Sequence, residues 1–445
     1  MHLYLHVPFC RSKCDYCAFY SVTDAAAATR AAYPGLLLRE IDLHLQAARL
    51  PPPAHPPSPA PPAPPCLRAS VRENNCPLPL PTATSFRPPS PHKSKITNLK
   101  SQILLSPPPQ AAAGTIATLY TGGGTPGLLG VAGFRRLAGG LRARSLLADI
   151  AEWTVELNPA STTSPLLDTL RAAGVTRLSF GAQCFEDAIL RRIGRRHTAA
   201  ATRRALADAR RAGFDNLGLD LIAGLPGMTP AAWRATLRQA LDLGCAHLSV
   251  YGLGLEPGTR LQAAAQAGML TLPDTDAQMD ALAEAETILA AGGFTRYEIS
   301  NYARPGMACR HNLAVWRGED YLGLGPAAAS RIGRRRWTNL SDLSAYTQAL
   351  EADTLPPRSD FDELDAEADA LERFAFGVRL GEGISPAAAA RARPVLAPRV
   401  AEWEACLTRL AAQGITEELP GTSDRRWRLT PRGSEVTDAV IRDLL

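Results

Sequence analysis

The chain has 445 residues, 46% hydrophobic and 20% charged, which is the composition of a globular protein large enough for two domains. No apolar run reaches the ~18 residues a membrane span needs, and nine cysteines, an odd number in so long a chain, argue against a disulfide framework. The net charge of +5 comes from residues 51–113, where six basic side chains meet one acid; the remaining 42 basic and 42 acidic residues cancel, giving no electrostatic reason for a nucleic-acid partner.

The first predicted element is a strand over Leu3–Val7, where Leu3, Leu5 and Val7 alternate with Tyr4 and His6. It runs into Cys10, Cys14 and Cys17, spaced C-x3-C-x2-C. Three thiolates leave one iron of a four-iron cluster without a protein ligand, open to a substrate or cofactor. Together with His6 they also make up a Cys3His set for zinc. A strand feeding a cysteine loop suits the mouth of a barrel better than a zinc knuckle, but the spacing alone admits both. A site already begun at Cys10 leaves no room for a cleavable leader, so none is expected. Cys184, Cys245, Cys309 and Cys406 are scattered and read as small buried hydrophobes. A reducing cytosol suits them and an oxygen-sensitive cluster alike.

After a helix near 30–47 the composition changes. Residues 51–113 hold 19 of the 37 prolines and three of the four lysines, in runs such as PPPAHPPSPAPPAPP that form neither helix nor central strand. This composition fits a disordered surface insertion, a docking segment for small aromatic-grooved domains, or translated non-coding sequence.

Beyond it, strands are predicted over Ile116–Thr121, Trp153–Leu157, Arg177–Gly181, Leu217–Ile222 and His247–Gly252. Helical stretches near 130–143, 163–173, 199–212 and 231–243 separate them, the alternation of a parallel α/β sheet. Six such strands make an incomplete (β/α)6 barrel, with ligands gathered at the C-terminal strand ends. Helices near 363–378 and 398–413, short strands near 415–418 and 426–429, and a last helix near 431–443 predict a small winged-helix-like α+β domain. It has no basic recognition helix and is read as a lid or packing domain. The expected division is therefore barrel in 1–50 and 114–300, insertion in 51–113, a connecting region in 301–355 and the C-terminal domain in 356–445.

Several motifs fall at predicted strand ends. Thr121-Gly122-Gly123-Gly124-Thr125-Pro126 is a glycine-rich turn between strand and helix, where backbone N–H groups approach a ligand closely. Glu156 stands in VELNP, Gln183 in SFGAQCF, Arg195 in IGRRH, Asp220 in LDLIAGLPGMT and Gly254 in HLSVYGLGLEPGT. With Tyr16 just before the last cysteine, the set resembles the radical S-adenosylmethionine (SAM) superfamily. The flanking HVPFC and CAFY narrow the resemblance to its coproporphyrinogen dehydrogenase and HemW-type heme chaperone branch. The resemblance implies that Cys10, Cys14 and Cys17 hold a [4Fe–4S] cluster whose fourth iron is chelated by SAM, and that an electron donor serves the cluster. It implies SAM contacts at Tyr4, Tyr16, Gly123, Gly124, Thr125, Glu156 and Gly254, while Gln183, Arg195 and Asp220 resemble residues that contact a second SAM in the dehydrogenase.

Farther along, TRYEISNYARPGMACRHNLAVWRGEDYLGLG resembles the HemW-type region with its HN-x-x-Y-W element, here His311-Asn312-Leu313-Ala314-Val315-Trp316. Val315 replaces the usual tyrosine, and Ala329 stands where the family often has histidine. His311 is the heme-contacting candidate, because imidazole is a common axial ligand of heme iron. The dehydrogenase motif usually carries a fourth cysteine where this chain has Phe19. The expected function is thus a cytoplasmic heme chaperone that binds cluster, SAM and heme and passes heme to apo-hemoproteins. Oxygen-independent coproporphyrinogen III dehydrogenation is the alternative.

Overall fold

The computed structural model of the protein describes residues 1–49, 116–421 and 424–445; the expected proline-rich insertion lies outside the described residues. Six strands stand where the alternation predicts them: β1 (His2–Val7), β2 (Thr118–Gly123), β3 (Glu152–Leu157), β4 (Arg177–Gln183), β5 (Asn216–Ala223) and β6 (His247–Gly252). They pair in parallel in chain order. β2 lies two residues later than expected because its register with β1 places Gly123 opposite Val7. The helices Ala27–Arg49, Gly130–Ala143, Ser164–Ala173, Ala199–Arg211 and Pro230–Asp242 form the crossovers. Their ends carry local signals: Thr198 and Thr229 accept from the N–H groups of Ala201 and Ala232, and Gly174 closes its helix in the left-handed region.

Strand side chains alternate between two faces. Leu3, Leu5, Trp153, Val155, Leu178, Phe180, Leu219 and Leu248 join Leu37, Phe134, Leu170, Leu206 and Leu237 of the crossover helices in one core. Each such side chain is worth about 1.5–3 kcal/mol when fully buried. The intervening positions are left for the concave face and carry polar groups.

The sheet is open and twelve strands wide. Beyond β6 lie β7 (Thr295–Arg296) and β8 (Asn301–Ala303), both antiparallel. On the other edge β9 (Tyr321–Leu324) adds to β1 in parallel, followed by antiparallel β10 (Ala329–Ile332), β11 (Arg335–Asn339) and β12 (Arg358–Glu363). Glu40, fully buried in the first helix, anchors this added edge. It accepts from Gly325 N at 2.8 Å, Asn339 Nδ2 at 2.8 Å and Tyr346 Oη at 2.7 Å.

The C-terminal segment contributes the helices Ala366–Gly377, Pro386–Ala392 and Val400–Ala412 and the hairpin of β13 (Thr416–Glu418) and β14 (Trp427–Leu429). Its own core centres on Phe374 and Trp403, stacked with centroids 3.9 Å apart. The single last helix expected near 431–443 is instead two, Pro431–Glu435 and Thr437–Leu444. Val436 leaves helical geometry between them, at φ −116°, and the Thr437 hydroxyl donates to Ser434 O. Arg331 of β10 reaches across to Asp369 and Glu372 and joins this segment to the sheet. Among the described residues no helix is long and apolar enough to cross a membrane.

Candidate functional site

The cysteine loop leaves the C-terminal end of β1 and is pinned at its base, with Cys10 N donating to Val22 O and Val22 N to Pro8 O. All three thiols are half-buried. Cys10 Sγ lies 3.7 Å from Thr125 Oγ1, and Arg195 Nη1 lies 3.5 Å from Cys14 Sγ. Burial pushes the Cys17 thiol up; a backbone hydrogen bond at Phe19 opposes this, while the neighbouring Cys14 and Cys10 add to it. Among the described residues no three His, Cys, Asp or Glu side chains converge on a single-ion position. His6, the fourth ligand that a zinc site would need, is committed elsewhere: Nδ1 is 3.1 Å from Tyr4 Oη and Nε2 is 3.1 Å from Tyr20 O. A cubane cluster takes thiolates at separate corners and leaves a fourth iron open. The donor set fits that group better than a tetrahedral zinc.

The glycine turn docks directly under this loop. A Cβ at Gly124 would lie 2.7 Å from Phe9 O and 2.9 Å from Val7 O, and one at Gly122 would lie 2.9 Å from the Glu156 carboxylate. Gly123, at φ +102°, holds a conformation that L side chains rarely adopt, and its N–H donates to Glu156 Oε2 at 3.1 Å. Gly124→Ala is expected to displace the loop backbone at a cost of about 1–3 kcal/mol, typical of overpacking. Cluster content after reconstitution should fall with it; unchanged iron content and melting temperature would refute this contact.

Glu156 accepts from Tyr120 Oη at 2.8 Å, and burial, helped by Asp220, pushes its carboxyl up to about 7. Asp220 accepts from Ser249 Oγ at 2.8 Å and Ser179 Oγ at 3.1 Å and is itself raised by burial. Arg195 donates to Gly181 O at 2.6 Å. Gln183 is buried at φ +64°, an uncommon state for a residue other than glycine. Tyr16 packs beside Cys184, Ile189 and Leu190, and both Arg195 and Asp220 act electrostatically on its hydroxyl. Tyr4 points its hydroxyl at His6. Gly254 lies exposed in the loop after β6. Contacts thus join Thr125 to Cys10, Arg195 to Cys14, Gly123 to Glu156 and Gly124 to the loop backbone at Val7 and Phe9.

The motif reading missed the rest of the concave face. His2, Thr118, Tyr120, Glu152, Thr154, Arg177, Ser179, His247 and Ser249 fill it, all at alternate strand positions. Their signal was period two: each strand reads polar–apolar, as in HLYLHV, EWTVEL and HLSVYG. Among the described residues, Thr154 Oγ1, Arg177 Nε and Nη1, and His247 Nδ1 find no hydrogen-bond partner. Buried polar atoms of this kind suit a polar ligand rather than the apolar layers of a closed barrel.

A cavity of about 600 Å³ borders the cysteine loop, lined by its Lys13, Ala18, Phe19 and Tyr20. Phe19, His311, Val315 and Ala329 all line it, together with Tyr4 and His6. Four positions singled out along more than 300 residues of sequence thus meet in space. His311 is buried, and burial, with His2 beside it, holds its imidazole down at about 3, so the ring is neutral. Cys309 is fully buried away from this space and donates to Glu152 Oε1 at 3.3 Å.

An open parallel sheet with a C-x3-C-x2-C loop after its first strand and a glycine turn after its second defines a radical SAM protein. The model of the Radical SAM superfamily matches residues 110–240. This chain belongs to the HemW family. It is 32% identical over 443 residues to the heme chaperone HemW of Mycobacterium tuberculosis, covering 100% of this chain and 94% of that protein. It is 36% identical over 271 residues to the heme chaperone HemW of Bacillus subtilis, covering 61% and 71%. Coproporphyrinogen III oxidase (HemN) from Escherichia coli, described as a radical SAM enzyme, shares the fold with a TM-score of 0.72 at 22% identity, over 100% of this chain and 89% of that one.

Proposed function

We propose that this protein is a heme chaperone: it binds a [4Fe–4S] cluster at Cys10, Cys14 and Cys17, SAM in the adjoining concavity, and heme in the cavity of His311, and it hands heme to apo-hemoproteins. The observation that carries the reading is the meeting of Phe19, His311, Val315 and Ala329 around one cavity whose wall is the cysteine loop. Family membership supports it.

Bound there, the cluster supplies a low-potential electron, delivered by a separate donor, and an open iron for SAM. The protein's own groups do the rest. Gly123, Gly124 and Thr125 hold the amino group and neighbouring atoms of the methionine part of SAM, and Glu156 accepts hydrogen bonds from the ligand. Gln183, Arg195, Asp220, Tyr4, Tyr16 and Gly254 hold the remainder. Residues 1–50 and 114–300 form the barrel in this reading and 51–113 a separate insertion. Residues 301–355 bring His311 to it, and 356–445 form a small winged-helix-like lid or packing domain. The setting is the cytoplasm, with no nucleic-acid partner.

The test pairs heme titration and transfer to a heme-free acceptor with an anaerobic assay on coproporphyrinogen III, SAM and reductant. Heme should bind and transfer while the porphyrinogen stays intact. His311→Ala should weaken heme binding and change the spectrum of bound heme, with cluster content kept. Sustained decarboxylation would overturn the chaperone reading. Unchanged heme affinity in the variant would remove His311 from the site.

A further inference from the structure

His311 stands at the end of a hydrogen-bonded chain that starts at the protein surface. Glu319 Oε2 lies 3.0 Å from His2 Nε2, His2 Nδ1 lies 2.8 Å from Thr118 Oγ1, and Thr118 Oγ1 lies 2.8 Å from His311 Nδ1. His2, Thr118 and His311 are 6%, 1% and 5% exposed, whereas the Glu319 side chain is half-exposed. The arrangement follows from the sheet: β1, β2 and β3 are in register so that His2 faces Thr118 and Thr118 faces Glu152. Glu152 in turn accepts from His311 N at 3.2 Å and Arg310 N at 3.1 Å, which fixes the backbone that carries the imidazole. The Tyr120 ring, with its centroid 5.2 Å away, and His2, edge-on at 6.1 Å, confine the ring itself.

The proton positions in this chain follow from what each group can do. A carboxylate only accepts, so His2 donates from Nε2 to Glu319. In the neutral form of His2, Nε2 donates and Nδ1 accepts, and the proton it accepts is that of the Thr118 hydroxyl. A hydroxyl that gives its one proton to His2 turns its lone pairs to His311. His311 must then carry its proton on Nδ1 and donate it to Thr118. Its Nε2 is left bare.

We propose that Glu319, His2 and Thr118 form a positioning chain that holds His311 in the Nδ1–H tautomer and presents a bare Nε2 to heme iron in the cavity. The inference rests on the reading that heme binds there. Metal-ligating histidines characteristically donate their second ring nitrogen to a polar partner, and loss of that partner costs about 10–100-fold in metal affinity. Without the carboxylate at its head the chain has no preferred direction. A fraction of molecules would then offer the cavity an N–H, which cannot ligate iron.

Two measurements test this on the full chain. In heme-free protein with ¹⁵N-labelled histidine, the His311 signal, assigned by its loss in His311→Asn, should show Nδ1 protonated and Nε2 unprotonated. The exposed variant Glu319→Leu should convert it to a tautomer mixture. Heme affinity should fall about 10–100-fold in Thr118→Val, with a changed axial-ligand spectrum, and return in Thr118→Ser. If Thr118→Val does not fold, Glu319→Leu carries the affinity measurement, with a loss in the same direction. A wild-type His311 protonated at Nε2 overturns the inference. So does unaltered affinity and spectrum in both Thr118→Val and Glu319→Leu, provided that wild-type protein binds heme through His311. Wild-type protein that binds no heme, with the Nδ1–H tautomer observed, overturns instead the reading beneath it and the iron-ligand role with it.

Discussion

Replacing Cys10, Cys14 and Cys17 together with alanine is expected to leave a folded protein that retains neither iron nor sulfide after anaerobic reconstitution. The three thiols stand on one loop, half-buried beside Thr125 and Arg195. The other described cysteines, Cys184, Cys245, Cys309 and Cys406, are buried in packing positions and cannot take their place. Folding should survive because the loop's outer residues contribute little to the core: Leu3, Leu5, Val7 and Phe9 hold β1 and the loop base without them. The expected readouts are loss of the broad visible absorption of thiolate-bound iron–sulfur and a stoichiometry near zero, with an unchanged circular dichroism spectrum. A triple variant that still took up a full complement of iron and sulfide would place the cluster elsewhere. Stoichiometric zinc without iron in anaerobically purified wild-type protein would revive the Cys3His reading, against the observed commitment of His6.

Arg331→Ala should be the most damaging single change to stability, at about 3–5 kcal/mol. Its guanidinium is 3% exposed and pairs with Asp369 and Glu372, both on the helix Ala366–Gly377. Removing it leaves two carboxylates in a largely dry interface, the situation in which breaking a buried pair is most costly. Arg373, 3.0 Å from Asp369 Oδ2, and Arg336, paired with Glu372, soften the loss and set the lower end of the range. Because the pair joins β10 to the C-terminal segment, the variant should unfold that segment early. Urea unfolding followed by tryptophan fluorescence, which reports Trp403 and Trp427 there, should show a separate transition at lower denaturant. Arg331→Met keeps the apolar stem and should lose nearly as much. A midpoint shift worth less than about 1 kcal/mol in both variants would show that the interface does not depend on this charge.

Much of the candidate site was legible along the chain because its parts are local. The C-x3-C-x2-C spacing, the glycine turn Gly122–Gly124 and the strand-end residues Glu156, Gln183 and Asp220 are short-range patterns; each is weak alone, and their combination along the chain carries the resemblance. The six parallel strands were legible for the same reason, since hydrophobic alternation is a property of six or eight consecutive residues. The flanking strands β9–β12 were not. They are short, and their pairing with β1 depends on contacts separated by some 300 residues, such as Glu40 with Gly325 and Asn339. The break at Val436 was likewise invisible, being decided by where the Thr437 hydroxyl finds an acceptor.

The sequence by itself thus determined the cysteine spacing, the glycine turn and the six parallel strands, because spacing and periodicity are written in neighbouring residues. Only the tertiary structure decided that both ring nitrogens of His6 are taken by Tyr4 and Tyr20. It alone brought Phe19, His311, Val315 and Ala329 around one cavity, and ran a chain of hydrogen bonds from Glu319 through His2 and Thr118 to His311. Those facts depend on strand register, which sets side chains from distant segments opposite one another at hydrogen-bonding range.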